Sequence, residues 1–150
     1  MLPKKYRRDR GKNGIVGSEP TVRVWLNGTF DVLHAGHIHL FQHAKTLYPH
    51  SYVRVGVDTD ERVGKLKGDN RPINTLHNRM KVLKSIRYID EVVSFSSDNE
   101  LRAEIALYNP HIMCIGDDYQ GRTIIGEEFI PRIIYVERYD DLSTSGIINQ

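Results

Sequence analysis

Apolar and polar residues alternate along this chain in stretches that predict parallel strands. Strict alternation at residues 22–27 and 51–58, rich in valine, is typical of strands. Shorter apolar runs at residues 91–95, 111–115 and 133–137 predict three more strands. Cys114, the single cysteine, lies in one of these runs, so we interpret it as a buried strand residue and not as a nucleophile.

Helical spacing of apolar residues appears between these strands. After the first strand the helical positions are Ile38, Phe41, Ala44 and Leu47. Thr75 is a candidate N-cap for a second helix with its buried face at Leu76, Met80, Leu83 and Ile86. Ser97, with Glu100 three residues later, predicts a capping box and a helix through about Leu107.

Strands that alternate with helices predict an α/β fold, a Rossmann-like, doubly wound parallel sheet in a single domain over residues 21–150. In such sheets ligands bind beyond the carboxyl ends of the strands. Polar residues concentrate in four loops that follow predicted strands, at 28–37, 59–74, 116–119 and 138–145. A GxGxxG fingerprint is absent after the first strand, which disfavours a nicotinamide enzyme.

The loop at residues 28–37 carries the strongest chemical signal, with the sequence GTFDVLHAGH. Its glycines allow the backbone to approach a ligand closely, and the helix that follows offers free N–H groups suited to phosphate. Two imidazoles, from His34 and His37, add hydrogen-bond donors that can stabilise charge during phosphoryl chemistry. The sequence therefore predicts a phosphate-handling site where the first strand meets the first helix.

Charge is distributed unevenly, although the formal net charge of the chain is only +2. Residues 1–20 contain six Lys or Arg and two acidic residues, without a periodic apolar pattern, and we expect a flexible basic tail there. No apolar run is long enough to span a bilayer, so no membrane insertion is predicted. One cysteine suits a reducing compartment, and we expect a cytoplasmic protein that does not bind nucleic acid.

Three motifs resemble those of the cytidylyltransferase-like nucleotidyltransferases. The loop at 28–37 resembles the GTFDxxHxGH signature, residues 85–92 (SIRYIDEV) are similar to a second family motif, and residues 138–145 (RYDDLSTS) resemble the RTEGISTT signature. Tyr139 replaces the usual threonine, and Asp140 and Asp141 replace the usual Glu-Gly. The resemblance covers nearly all of the chain after residue 21.

Two branches of that family compete. Residues 116–121 (GDDYQG) and Arg138 resemble glycerol-3-phosphate cytidylyltransferase, whereas residues 65–74 (KLKGDNRPIN) and 93–95 resemble the adenylyltransferase that makes ADP-heptose. On balance we expect transfer of CMP from CTP to glycerol 3-phosphate, which gives CDP-glycerol and pyrophosphate. Synthesis of ADP-heptose from ATP and heptose 1-phosphate is the alternative. Either reaction would contribute to cell-surface polysaccharide precursors.

The resemblance also implies a role for particular residues. The catalytic set is His34, His37, Lys67 and Arg138. The nucleotide-binding set is Thr29, Phe30, Gly36, Asp118, Ser143 and Thr144. The acceptor-binding set is Lys65, Arg79 and Arg102. Mg²⁺ is expected to arrive with the triphosphate and not in a fixed protein site, and a homodimer is expected by the same analogy.

Two other classes of function remain as rivals. A fragment of a class I aminoacyl-tRNA synthetase would share the HxGH pattern, but the chain has no KMSKS-like segment. A nucleotide-sensing domain without activity would keep the fold. Retention of both histidines, Lys67 and Arg138 favours an enzyme over such a sensor.

Overall fold

The structure is a computed structural model and describes residues 21–139 and 147–148. Its strands are β1 (Val22–Gly28), β2 (Ser51–Asp58), β3 (Glu91–Phe95), β4 (Ile112–Gly116) and β5 (Arg132–Val136). Its main helices are α1 (Ala35–Thr46), α2 (Asp60–Lys67), α3 (Leu76–Lys84) and α4 (Asp98–Tyr108). Short 3₁₀ helices lie at Asp117–Tyr119 and Glu127–Phe129. The predicted tail at residues 1–20 lies outside the described residues.

All five strands are parallel and form one sheet in the order β3-β2-β1-β4-β5. Alternate residues of β1 supply two cores. Val24 and Leu26 pack with α1 and α3 on one face, while Trp25 packs with α4 on the other. The predicted α/β, doubly wound, single-domain fold is therefore confirmed.

The direction of winding reverses between β1 and β4. From β1 the chain moves outward to β2 and β3, and α4 then carries it back to β4 on the other side of β1. A ligand crevice is expected at the carboxyl end of such a switch point. This position is where the loop between β1 and α1 lies.

Most predicted elements agree with the structure to within one residue at each end, but the interpretation of residues 59–74 as a polar loop was wrong. Residues 60–67 of it form α2. Thr59 caps this helix, since its hydroxyl accepts from the N–H of Arg62. Acidic residues lie in the first turn and lysines in the last turn, as the helix dipole favours. Only Val63 of α2 is buried, so the helix has no apolar periodicity to detect.

The helix caps show a second, smaller difference. Thr75 caps α3 as predicted, and Ser97 accepts from the N–H of Glu100 at 3.1 Å. The carboxylate of Glu100, however, accepts from the N–H of Ser96, and not from that of Ser97 as a standard capping box requires.

Within the described residues, no helix combines the length and apolar character that crossing a membrane requires.

Candidate active site

Two histidines close the N-terminus of α1 by accepting hydrogen bonds from backbone N–H groups at its start. His34 is the N-cap, and its Nδ1 accepts a hydrogen bond from the N–H of Gly36 at 3.1 Å. In return, Nδ1 of His37 accepts from the N–H of His34 at 3.2 Å. The two rings stack, with their centroids 3.9 Å apart. The HxGH spacing thus forms a capping box in which imidazoles replace the usual Ser and Glu.

This arrangement decides which nitrogen of each ring can bind a ligand. Because Nδ1 accepts from a backbone N–H in both neutral rings, the proton of each lies on Nε2. Nε2 of His34 is buried and has no hydrogen-bond partner among the described residues. A buried donor left unpaired costs about 1–3 kcal/mol, which a ligand oxygen would offset. Both rings therefore present an N–H donor beside a helix N-terminus.

Electrostatics keeps both imidazoles neutral. Burial, together with the nearby charges of His34 and Lys67, lowers the pKa of His37 to about 4. Burial and the charge of Arg138 also lower the pKa of His34. Each ring is therefore a neutral donor at pH 7. A phosphate bound between the two rings and the cations Lys67 and Arg138 would raise the pKa values of both histidines.

Phe30 supports His37 from the side. The Phe30 ring meets the His37 ring edge-on at a centroid distance of 5.5 Å and also packs on Phe41 at 5.3 Å. Its φ of 50° lies in the left-handed region, which is uncommon for a bulky residue. A Cβ at Gly28 would come 3.0 Å from this ring, so the glycine makes room for the arrangement. Phe30, predicted to bind nucleotide, is only 7% exposed and contributes mainly through this packing.

A cleft of about 620 Å³ opens over the two histidines at the carboxyl end of the sheet. This volume is in the range of small-molecule sites. The structure brings eight of the predicted residues to this cleft, namely Thr29, Phe30, His34, Gly36, His37, Lys67, Asp118 and Arg138. Burial and the charge of Arg71 lower the pKa of Lys67, whose amine adds to the positive character of this wall.

Lys65 and Arg102 do not line the cleft. Lys65 is largely exposed on α2 and pairs with Glu61 at 3.2 Å. Arg102 lies on α4 and pairs with Glu128 at 3.3 Å. Within one chain, then, the structure does not support the predicted contacts of these two residues with an acceptor. Ser143 and Thr144 lie outside the described residues.

The prediction that Arg79 binds the acceptor needs correction, because its side chain is fully buried below the cleft. Nη1 donates to the carbonyls of Thr29 at 2.9 Å and Asp58 at 2.7 Å. Nε donates to the carbonyl of Asn74 at 2.9 Å, and Nη2 pairs with Asp60 at 2.7 Å. Arg79 therefore joins three loops of the site and is a positioning residue.

Asp31 acts in a similar way from the histidine loop. Its buried carboxylate accepts from the N–H groups of Ile73 and Asn74, each at 2.8 Å, and pairs with Arg71 at 3.4 Å. The side chain of Asn74 donates back to the carbonyl of Asp31. These bonds fix the segment between α2 and α3 against the loop that carries the histidines.

Asp58 and Arg62 line the cleft but were missed in the sequence. Asp58 ends β2 and is 8% exposed, and Arg62 lies one turn later on α2. Their side chains pair at 2.7 Å. The available signal was the position of Asp58 at the carboxyl end of a buried strand, with an arginine at i+4.

The cleft offers no fixed cage for a cation among the described residues. No group of three or more His, Cys, Asp or Glu is placed there to hold a metal ion. Its buried carboxylates, Asp31 and Asp58, already accept hydrogen bonds from the chain. Mg²⁺ carried by the triphosphate stays a prediction.

Comparison with known proteins identifies the family. A family model described as cytidylyltransferase-like matches residues 25–150. The chain is 39% identical over 127 residues to the bifunctional protein HldE of Campylobacter fetus subsp. fetus, covering 85% of this chain and 27% of that protein. It is also 39% identical over 131 residues to the bifunctional protein HldE of Coxiella burnetii, with the same coverage. The chain spans about a quarter of the length of these relatives.

Solved structures support the fold. The lipopolysaccharide core biosynthesis protein from Thermoplasma volcanium superposes with a TM-score of 0.65 at 23% identity, covering 79% of this chain and 98% of that one. Pantothenate synthetase from Thermus thermophilus gives a TM-score of 0.58 at 16% identity, covering 84% and 61%. Because the family model covers most of the chain and encloses the histidine loop, the chain belongs to the cytidylyltransferase-like family of nucleotidyltransferases.

Proposed function

We propose that this domain is an adenylyltransferase that transfers AMP from ATP to heptose 1-phosphate and releases pyrophosphate. The observation that carries nucleotidyl transfer is the pair of neutral imidazoles whose Nε2–H groups lie beside the N-terminus of α1. An oxygen of the acceptor phosphate forms a bond to the α-phosphorus, and the bond from that phosphorus to the bridging oxygen of pyrophosphate breaks. The acceptor is already ionised at neutral pH, so the reaction needs positioning and charge stabilisation and no strong base.

Each group has a defined part in this reaction. His34 and His37 donate from Nε2 to phosphate oxygens, where they stabilise the charge that develops in the transition state. Lys67 and Arg138 supply the positive field on the same cleft wall. Removal of one such preorganised donor costs about 10²–10³ in turnover in well-studied enzymes. Mg²⁺ would enter as part of the ATP complex, and no step above is routed through it.

This proposal favours ATP and heptose 1-phosphate, whereas the sequence alone favoured CTP and glycerol 3-phosphate. The curated relatives named above, both called bifunctional protein HldE, support the ADP-heptose branch better than the glycerol branch. Residues 65–74, which resemble the same branch, include Lys67 at the cleft. Since the chain matches about a quarter of those relatives, we assign only the nucleotidyl-transfer reaction to it.

Transfer of CMP from CTP to glycerol 3-phosphate is the second candidate. Two specific features favour it, because Arg138 and Asp118 both line the cleft and both belong to segments that resemble the CTP branch. A nucleotide-binding sensor without turnover is a third possibility of a different class.

Pyrophosphate release separates these functions. ATP and CTP, each with Mg²⁺, are crossed against heptose 1-phosphate and glycerol 3-phosphate, and the nucleotide product is identified by mass. We expect turnover with ATP and heptose 1-phosphate alone. Turnover confined to CTP and glycerol 3-phosphate would replace our proposal with the second candidate. Nucleotide binding by calorimetry without pyrophosphate from any pair would indicate a sensor.

A further inference from the structure

The cleft extends beyond the histidines to a region with different chemistry. Over β2 and β3 its wall is formed by Asp58, which ends β2, by Arg62 on α2 and by Phe95, which ends β3. The histidines belong to the loop after β1, which is the middle strand. The lobe over β2 and β3 therefore lies to one side of the phosphate-binding wall and can receive a part of the substrate other than the triphosphate.

The side chains of this lobe are held in place. Asp58 accepts from Nε of Arg62 at 2.7 Å and from the Thr29 hydroxyl at 3.3 Å. Nη2 of Arg62 donates to Asp98 at 2.7 Å, and its guanidinium lies 5.4 Å from the centre of the Phe95 ring. The side chains of Asp58 and Arg62 are each 12% exposed. Both groups are thus preorganised and still reach the cleft.

The carboxylate of Asp58 is the hydrogen-bond acceptor of this lobe. It pairs with Arg62 at 2.7 Å, and its charge also acts on the amine of Lys67. A carboxylate repels phosphate but accepts hydrogen bonds from hydroxyl groups, and each of its oxygens can accept more than one. A largely buried ion pair is weak evidence for stability, because desolvation offsets the attraction between its charges. Its place on the wall of a cleft, with a carboxylate that can accept further hydrogen bonds, suits ligand recognition.

We propose that Asp58 and Arg62 form a hydroxyl-binding subsite for the uncharged, polyhydroxylated part of the acceptor, which makes them specificity-determining residues. This inference rests on the function proposed above and extends it to named residues. Asp58 accepts from acceptor hydroxyls, while Arg62 fixes the carboxylate and closes the apolar floor formed by Phe95.

The test is Asp58→Asn, which keeps the size of the side chain and an oxygen that can accept from Arg62. We expect the KM for heptose 1-phosphate to rise about 10- to 100-fold, as is typical when a hydrogen bond to a charged group is lost. The KM for ATP should stay within twofold. Asp98→Asn is the matched control, because Asp98 bonds the same arginine but does not line the cleft. Equal effects of the two variants on the acceptor KM would reduce Asp58 to a structural role and overturn the proposal.

A hydroxyl-free acceptor sharpens the result. Propyl phosphate has no hydroxyl for Asp58 to bind, so the wild type and Asp58→Asn should use it with the same KM. A penalty of the same size on propyl phosphate and heptose 1-phosphate would contradict the subsite.

Calorimetry keeps the subsite separate from the proposed reaction. Heptose 1-phosphate and glycerol 3-phosphate are titrated into both proteins loaded with a non-hydrolysable ATP analogue and, in parallel, into both nucleotide-free proteins. Weaker binding to Asp58→Asn, with no pyrophosphate released by the wild type, would refute the reaction and support the subsite. Binding unchanged by the substitution, or absent from the wild type, would refute the subsite whatever the turnover.

Discussion

The two ends of the sheet place their nitrogen donors in different settings. At the amino end, cations are tied to partners within the chain. Arg23 donates to the carbonyls of Tyr108 and Asn109, and Lys45 pairs with Asp90. At the carboxyl end, the buried Nε2 of His34 finds no partner in the part of the chain that the structure describes. Two N–H donors at a helix N-terminus, on the wall of a cleft, mark the carboxyl end as the site of ligand binding.

The largest effect on stability is expected at Arg79, which joins the loops at the carboxyl end of the sheet. Arg79→Met removes a buried cation that joins the loops of Thr29, Asp58 and Asn74, leaving three carbonyls unpaired. We expect the free energy of unfolding to fall by about 3–5 kcal/mol. Urea titration of the wild type and the variant measures this change. A loss of turnover at unchanged stability would instead place Arg79 in contact with substrate.

Removal of an imidazole should lower turnover much more than stability. His37→Ala deletes an Nε2 donor, so turnover should fall about 10²–10³-fold, whereas loss of the hydrogen bond that its Nδ1 accepts from the N–H of His34 should lower the free energy of unfolding by only about 1 kcal/mol. Initial-rate kinetics and a thermal melt, run side by side, measure both. His77→Ala, on α3 and away from the cleft, is the control and should leave both unchanged. Turnover of His37→Ala within threefold of wild type would rule out the mechanism.

Residues whose partners are close in sequence were predicted well. The placement of His34 and His37 depends only on positions 34–37, so the HxGH spacing was sufficient to put both rings at the start of α1, and their roles in phosphoryl transfer stay predictions. The strands were also evident, from alternation of apolar residues in β1 and β2 and from short apolar runs in β3, β4 and β5. Both signals are local, so the histidine site and the sheet could be predicted together.

Arg79 and α2 show why the rest could not be predicted. Arg79 bonds the carbonyl of Thr29, 50 positions away, and only the fold brings the two together. Its charge suggested a ligand, whereas the interior uses it as a donor to three carbonyls. In α2 the stabilising features are polar ones, a Thr59 cap and favourable end charges, on a helix with one buried residue. A search for apolar periodicity overlooks such a helix.

Acid should lower the free energy of unfolding through protonation of His37 at the carboxyl end. The pKa of His37 is lowered to about 4 in the fold, from 6.5 for an unperturbed imidazole. Between these values the unfolded chain binds more protons, so stability falls as pH decreases from about 6.5 and levels off below about 4. The loss reaches about 3 kcal/mol at most. Urea titrations from pH 7.5 to 4 on ligand-free wild type and His37→Gln measure it, and parallel pH profiles would contradict the depressed pKa.

The smallest effect is expected at the amino end. Lys45→Met removes a partly exposed ion pair with Asp90 at 2.7 Å and a hydrogen bond to the carbonyl of Ser51. Asp90 keeps its bond from the N–H of Val53, so no carboxylate is left without a partner. We expect a loss of about 1 kcal/mol in the free energy of unfolding, as for other exposed pairs, with kcat and KM unchanged. Urea titration and initial rates measure the two quantities. Lys45 lies outside the cleft. A fall in kcat of Lys45→Met would therefore contradict our view that only the carboxyl end of the sheet takes part in the reaction.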